Sequence, residues 1–324
     1  MYIEDRLYGT FEVEPVLSDL ILSDAVQRLK HVHQNGASYL MNSKWNNTRY
    51  DHSIGVMCLI RTLGGTVEEQ IAGLLHDVSH TAFSHVVDDA LGEVNEDYHE
   101  QIKEQMILNS DIPSILKNYQ YNLHSVLDES KWMILEQSAP RLCADRIDYT
   151  LRDLYGYGEI SKLEVEKFLK SMVLYKGRIH LNKQSAAEWF VKQYYREVLD
   201  FFLHPLNIYS NHVMAEILKL AIQKSVITKD DFLLTDEQLL SKIQVSTDHE
   251  IRTNIKQLSS PVKVIETQDD YDIQVKKKLR LIDPEVLIDN ESMHVSELSQ
   301  DVKDMNAKAK QRSLKGVKIK VITQ

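Results

Sequence analysis

The sequence predicts a mainly α-helical fold with a small α+β region at its C-terminal end, and three observations carry that expectation. Of 324 residues, 11 are Gly and 6 are Pro, so long stretches lack the residues that most often interrupt helices. Through Lys224, apolar residues recur at a spacing of about 3.6, the period of a helix with one buried face. Beyond Ser225, β-branched runs alternate with short helical segments, as in domains where strands and helices pack together. The implied division is a helical domain over residues 1–225 and a small α+β region over 226–324.

Taken in order, the expected helices are Asp19–Gln34, Tyr50–Leu63, Val67–His76, Thr81–Leu91, Asp97–Asn109 and Ile112–Asn118. Asn46-Asn47-Thr48 supplies cap residues before the second of these. Gly64-Gly65 ends it, and Thr66 with Glu69 forms a capping box for the third. Gly92 closes the fourth. Ser138–Leu154 reads as one helix, broken at Tyr155-Gly156-Tyr157-Gly158. A helix over Lys162–Leu169 precedes a hairpin of Met172–Leu174 and Arg178–Leu181, turning at Lys176-Gly177. Ser185–Phe202 and Ile208–Lys224 are long helices, and Pro205 kinks or begins the second. In the C-terminal region, Thr235–Ile243 and Asp248–Gln257 read as helices. Val262–Glu266, Lys278–Ile282 and Val317–Ile322 read as strands.

Composition narrows the function classes. The formal net charge is −10, which does not indicate a duplex nucleic-acid binder, since those carry a basic excess. The tail departs from this: Asp301–Gln324 holds seven Lys or Arg against two Asp. It reads as a solvated basic face, or as a contact for a polyanion or another subunit. No apolar run is long enough for a membrane span, and the N-terminus lacks the pattern of a signal peptide. Cys58 and Cys143, in apolar helical surroundings, read as free thiols of a cytoplasmic protein.

The chemistry lies in a split set of His and Asp. His52 sits in one expected helix, the adjacent pair His76-Asp77 ends the next, and Asp145 lies in a later one. Two imidazoles and two carboxylates converging between helices fit one divalent cation, and buried polar groups without such a partner would be costly. His80, His85 and His99 are the candidate acids or bases, because histidine titrates near neutrality. His124, His180, His204, His212, His249 and His294 read as hydrogen-bonded core residues. His31 and His33 stay open.

At these residues the sequence resembles the HD-domain phosphohydrolase superfamily, whose metal signature is H…HD…D. Arg49-x-x-His52-Ser53-x-Gly55-Val56, His76-Asp77-x-x-His80-x-x-Phe83-Ser84-His85, His99-Glu100-Gln101 and Ala144-Asp145-Arg146-Ile147-Asp148-Tyr149-x-x-Arg152-Asp153 look like the branch of deoxynucleoside triphosphate triphosphohydrolases. Lys278-Leu279-Arg280-x-x-Asp283-Pro284 resembles a C-terminal motif of bacterial and archaeal members. The resemblance covers residues 24–158 and implies one divalent ion (Mn, Fe, Ni, Co, Mg or Zn) on His52, His76, Asp77 and Asp145. It implies that His80, His85 and His99, with Glu100 beside them, surround the triphosphate. Arg49 and Arg146 would contact phosphates; Gln34, Tyr149 and Asp153 would contact the deoxyribose. It implies hydrolysis of dNTPs to deoxynucleoside and inorganic triphosphate by a homodimer or homotetramer. Two departures keep other readings open. Ser79-His80-Thr81-Ala82 replaces Gly-His-Gly-Pro, and Phe201–Tyr209 does not align with the family's Tyr-x-His-Lys. The alternatives are a phosphomonoesterase or phosphodiesterase on another nucleotide or small phosphate ester, and a non-catalytic regulatory or nucleic-acid-binding protein.

Overall fold

Helix Arg49–Thr62 is the spine on which the site is built. Thr48 caps it, accepting from the Asp51 amide while the Asp51 carboxylate accepts from the Thr48 amide. Ten of its residues are buried, so both of its long faces are covered. One packs on helix Val67–Leu75, the other on helix Ala144–Gly156. Glycine allows these approaches: a Cβ at Gly73 would run into Ile60, and one at Gly55 into Arg152 and Asp148. The computed structural model describes residues 1–93, 95–276 and 278–322, and its architecture is mainly α-helical.

Several expected elements differ in detail. Asp19–Gln34 is divided at Ser23, which ends helix Pro15–Leu22 and caps helix Asp24–Arg28 by accepting from Val26. Thr81–His85 is not helical; the helix is Val86–Leu91. Phe83 and Ser84 have φ of 59° and 51°, and the turn is held by hydrogen bonds from Ala82 to the Phe232 carbonyl and from the Phe83 amide to Asp236. Such backbone strain persists where its surroundings enforce it. Residues 138–143 are irregular, and the helix expected from Ser138 begins at Ala144. Helix Gln184–Tyr195 continues as a π turn, Arg196–Phe201. Pro205 begins helix Pro205–Gln223, with His204 as its cap.

Among the described residues the strands lie in three sheets. Tyr2–Asp5 pairs with Gly9–Glu12. The expected hairpin forms as Met172–Tyr175 with Arg178–Leu181. It is extended by Glu285–Ile288, parallel at Leu181 and Val286, and then by Glu291–His294. Val317–Ile322 lies between Lys263–Thr267 and Ile273–Val275. The expected strand over Lys278–Ile282 does not form; that segment is irregular. Helix Gln300–Lys315 carries much of the basic tail; Thr323 and Gln324 lie outside the described residues.

Two cores organise the chain. One surrounds helix Arg49–Thr62 and includes Ile282, Val286, Val295 and Val302 from the C-terminal part. The other surrounds helix Pro205–Gln223, with Phe83, Phe232, Ile251 and Ile319. Cys58 and Cys143 are buried free thiols. Among the described residues, no helix is long and apolar enough to cross a membrane.

Candidate metal centre and substrate pocket

Three helices bring the split His and Asp set together. His52 lies in the first turn of helix Arg49–Thr62, and His76 caps the C-terminus of Val67–Leu75 with Asp77 next. Asp145 opens helix Ala144–Gly156, where the helix dipole favours a carboxylate. His52 Nε2 is 3.0 Å from Asp145 Oδ1, 3.3 Å from His76 Nε2 and 3.7 Å from Asp77 Oδ2. His76 Nε2 is 3.5 Å from Asp77 Oδ1 and 3.7 Å from Asp145 Oδ1. Ligands about 2.1 Å from one first-row cation sit about 3.0–3.4 Å from each other; His52–Asp145 and His52–His76 fall in that range, and the other three separations are slightly longer.

Hydrogen bonding says the same. His76 Nδ1 is 2.7 Å from the Gly73 carbonyl, which can only accept. That nitrogen therefore carries the proton, and the lone pair is on Nε2. His52 Nδ1 is 2.7 Å from Asp148 Oδ2. Two imidazole Nε2 atoms thus face each other among carboxylate oxygens, an arrangement that needs a positive charge between them. Burial opposes the His52 imidazolium, but Asp145, Asp148 and Asp77 outweigh it and raise the pKa to about 10. A metal ion would take that proton's place.

The supporting layer was not assigned from sequence. Asp148 is fully buried, orients His52 and receives a double hydrogen bond from Arg152. Arg152 also donates to Asp5. Such carboxylate–histidine contacts fix ligand tautomers. Their signal was the spacing: Asp148 lies one turn beyond Asp145, and Arg152 one turn beyond that.

The three further histidines form a cluster. His80 and His99 stack with ring centroids 3.8 Å apart, and His85 meets them edge-on at 5.0 and 5.3 Å. His80 Nε2 is 3.3 Å from Asp77 Oδ1. Burial, with Arg49 and His99 adding to it, pushes the His80 pKa well below its usual value. Burial also lowers His85, although Asp88 stands 3.1 Å from its Nδ1. Both are therefore neutral at pH 7. Glu100 lies 3.3 Å from His99 Nε2.

These groups share a cavity of about 310 Å³ with the metal set. Gln34, Arg49, Tyr149 and Glu100 line it. Gln34 Oε1 is buried and has no partner among the described residues. Arg49 donates to Asp77 at 2.6 Å, to Ser84 Oγ at 3.0 Å and to the Gln34 carbonyl at 3.4 Å. Two expected residues are elsewhere. Arg146 is tied to the Arg141 and Gln137 carbonyls and to Glu136, off the cavity. Asp153 is fully buried behind the wall, accepting from Asn35 and Asn47. The family resemblance placed both at the substrate, but their side chains are held by other partners. In their place the cavity has Asn35, Asn207, Asn211, Phe202, Lys278 and Arg280, none of which the sequence placed there.

Comparison with known proteins adds context. An HD-domain family model matches residues 49–153. The chain is 49% identical to uncharacterized protein YdhJ of Bacillus subtilis strain 168, over all of both chains. It is 29% identical to the metal-dependent phosphohydrolase cns2 of Cordyceps militaris, covering 88% of this chain and 84% of that one. It is 28% identical to the deoxynucleoside triphosphate triphosphohydrolase SAMHD1 of Danio rerio, over 55% of this chain and 37% of that one. A phosphohydrolase structure from Bacteroides thetaiotaomicron superposes with a TM-score of 0.72 at 18% identity, covering 98% and 99% of the chains; it shares the fold.

Proposed function

The chain belongs to the HD-domain phosphohydrolase superfamily, and from that premise we propose that it hydrolyses the phosphomonoester of a nucleotide. The observation that carries this reading is the cavity itself. Four metal-type donors face a wall of aromatic and amide side chains, Tyr149, Phe202, Asn35, Asn207 and Asn211. Rings and apolar atoms suit a nucleoside face, and amides suit its hydroxyls and base edges.

Charge favours a monoester over a triphosphate. Asp89, Glu96, Glu100, Glu129 and Glu136 line the cavity besides the two carboxylates of the metal set. One divalent ion with Arg49, Lys278 and Arg280 balances such a lining better around two negative charges than around four. With Arg146 tied down, a phosphate cation assumed for the triphosphate branch is missing. A second reading, dNTP triphosphohydrolysis, keeps the support of Gln34, Arg49, Tyr149 and the histidine cluster, which fit the family pattern.

His52, His76, Asp77 and Asp145 would hold the ion. When bound, it polarises the phosphoryl group and acidifies water. Arg49 presents N–H groups to phosphate oxygens in the bidentate manner that guanidinium allows. His85 directs Nδ1–H at Asp88, which leaves the lone pair on Nε2. That nitrogen takes a proton from the attacking water as the new P–O bond forms. It returns the proton to the departing sugar oxygen as the ester bond breaks. His80 and His99 stack beside it and exclude solvent.

The test is a panel of nucleoside monophosphates and dNTPs with Mn, Mg, Co, Ni and Fe, products resolved by ion exchange. Orthophosphate from monophosphates is the expected result. Inorganic triphosphate as the main product would establish the second reading instead. No turnover with any metal would leave neither standing.

A further inference from the structure

The segment expected as strand Lys278–Ile282 is a strap that borders the cavity. It follows strand Ile273–Val275, whose Val275 pairs with Val317. Gly316, at φ 71°, lies where a Cβ would strike the Val275 carbonyl, so the glycine lets the strap's start pass against the end of helix Gln300–Lys315. Beyond the cavity the strap is pinned. Ile282 is fully buried, and its amide donates to the Tyr195 hydroxyl at 3.4 Å. The Asp283 amide donates to the Pro140 carbonyl at 2.8 Å, and its carboxylate accepts from the Ser296 amide and hydroxyl.

Between these anchors, Lys278 and Arg280 line the cavity. The Arg280 guanidinium carbon is 5.6 Å from the Phe202 ring centre, and its Nη2 donates to Glu96 Oε2 at 3.3 Å. Asp145 and Tyr149 are among the groups whose fields hold its pKa up against burial, so its charge is felt at the metal set. Arg49 has already committed a donor each to Asp77, Ser84 and the Gln34 carbonyl. Of its five N–H groups two remain, enough for one bidentate contact with a phosphate but not to balance a dianion, and Arg146 is turned away. The strap supplies the missing cations.

We propose that Arg280, assisted by Lys278, binds the substrate's phosphate group, and that Glu96 occupies this guanidinium until the phosphate displaces it. This rests on the phosphohydrolase reading above. It adds an anion site delivered from 184 residues beyond its resting partner and a carboxylate that competes with substrate. Glu96 thereby sets the affinity for phosphate without touching the metal.

The test is calorimetric titration of the metal-loaded full chain with orthophosphate, alongside KM and kcat for the best ester of the panel. Arg280→Ala should weaken orthophosphate binding about tenfold or more, the weight of a charge-assisted contact, and raise KM with metal content unchanged. Lys278→Ala should do so less. Glu96→Gln should act in the opposite direction and tighten orthophosphate several-fold, a result that a purely structural ion pair would not give. Unchanged binding in a folded Arg280→Ala protein, or weaker binding in Glu96→Gln, overturns the proposal. If the wild-type chain binds orthophosphate through Arg280 yet cleaves no ester, the functional reading fails while this site stands. If esters are cleaved and KM ignores Arg280, the reverse holds.

Discussion

Asp148→Asn separates the support of the metal centre from its ligands. The carboxylate touches no substrate; it accepts from His52 Nδ1 at 2.7 Å and from Arg152 at 2.9 Å through both its oxygens. Asparagine keeps the shape and one acceptor oxygen but removes the charge. Two costs follow. His52 becomes a poorer donor to the ion, and loss of such a partner typically lowers metal affinity by about 10–100-fold. Arg152, fully buried, keeps only Asp5 as a carboxylate partner. Breaking one side of a buried pair costs about 3–5 kcal/mol, and the remaining Asp5 contact places this case at the lower end, about 3 kcal/mol. Competition with a chromogenic chelator gives the affinity, and denaturant unfolding with and without metal gives the stability. Wild-type metal affinity in the variant would refute the claim that Asp148 orients a ligand. Lower stability with unchanged affinity would make it a core residue only.

Three further outcomes are expected. His85→Ala should retain the ion and lose about 10²–10⁴-fold in kcat, measured beside metal content; a near-normal rate would make His85 structural. In the ion-free protein the His52 pKa rises from 6.5 to about 10. Metal binding below that pH therefore releases a proton, so affinity should climb as pH rises, by up to about tenfold per unit per proton displaced. The same shift stabilises the ion-free protein fully below 6.5 and is lost as pH rises towards 10, so its Tm should fall across that window. Calorimetry in buffers of different ionisation enthalpy reads the proton directly, and no release would contradict the assignment. Arg146→Ala should lower Tm, because three local contacts go, yet leave KM within about twofold; a large rise in KM would restore Arg146 to phosphate binding.

The convergence of His52, His76, Asp77 and Asp145 was legible in the sequence because each member lies at or near the end of a helix whose pattern is clear. A capping box at Thr48, a side-chain cap at Thr66 and the His76-Asp77 terminus fix three of these residues locally, and Asp145 lies in the first turn of the later amphipathic helix Ala144–Gly156. The hairpin at Lys176-Gly177 was visible for the same reason. What could not be read depends on distant partners. Thr81–His85 has helical composition, but Phe83 and Ser84 are held at positive φ by contacts with Phe232 and Asp236, some 150 residues on. Arg146 and Asp153 lie at suitable helical positions, and only the carbonyls around Arg146 and the amides around Asp153 show that both face away. Lys278–Ile282 has strand composition but pairs with no strand among the described residues, and it forms the strap carrying Arg280.

The most direct test of the central claim is anomalous X-ray scattering from crystals of the full chain loaded with Mn. One strong peak is expected within bonding distance of His52 Nε2, His76 Nε2, Asp77 and Asp145 together. The neighbouring group His85, Asp88 and His99 also places three possible ligand atoms within 4.8 Å of one another. A Mn peak there, with none at the first set, would contradict the account.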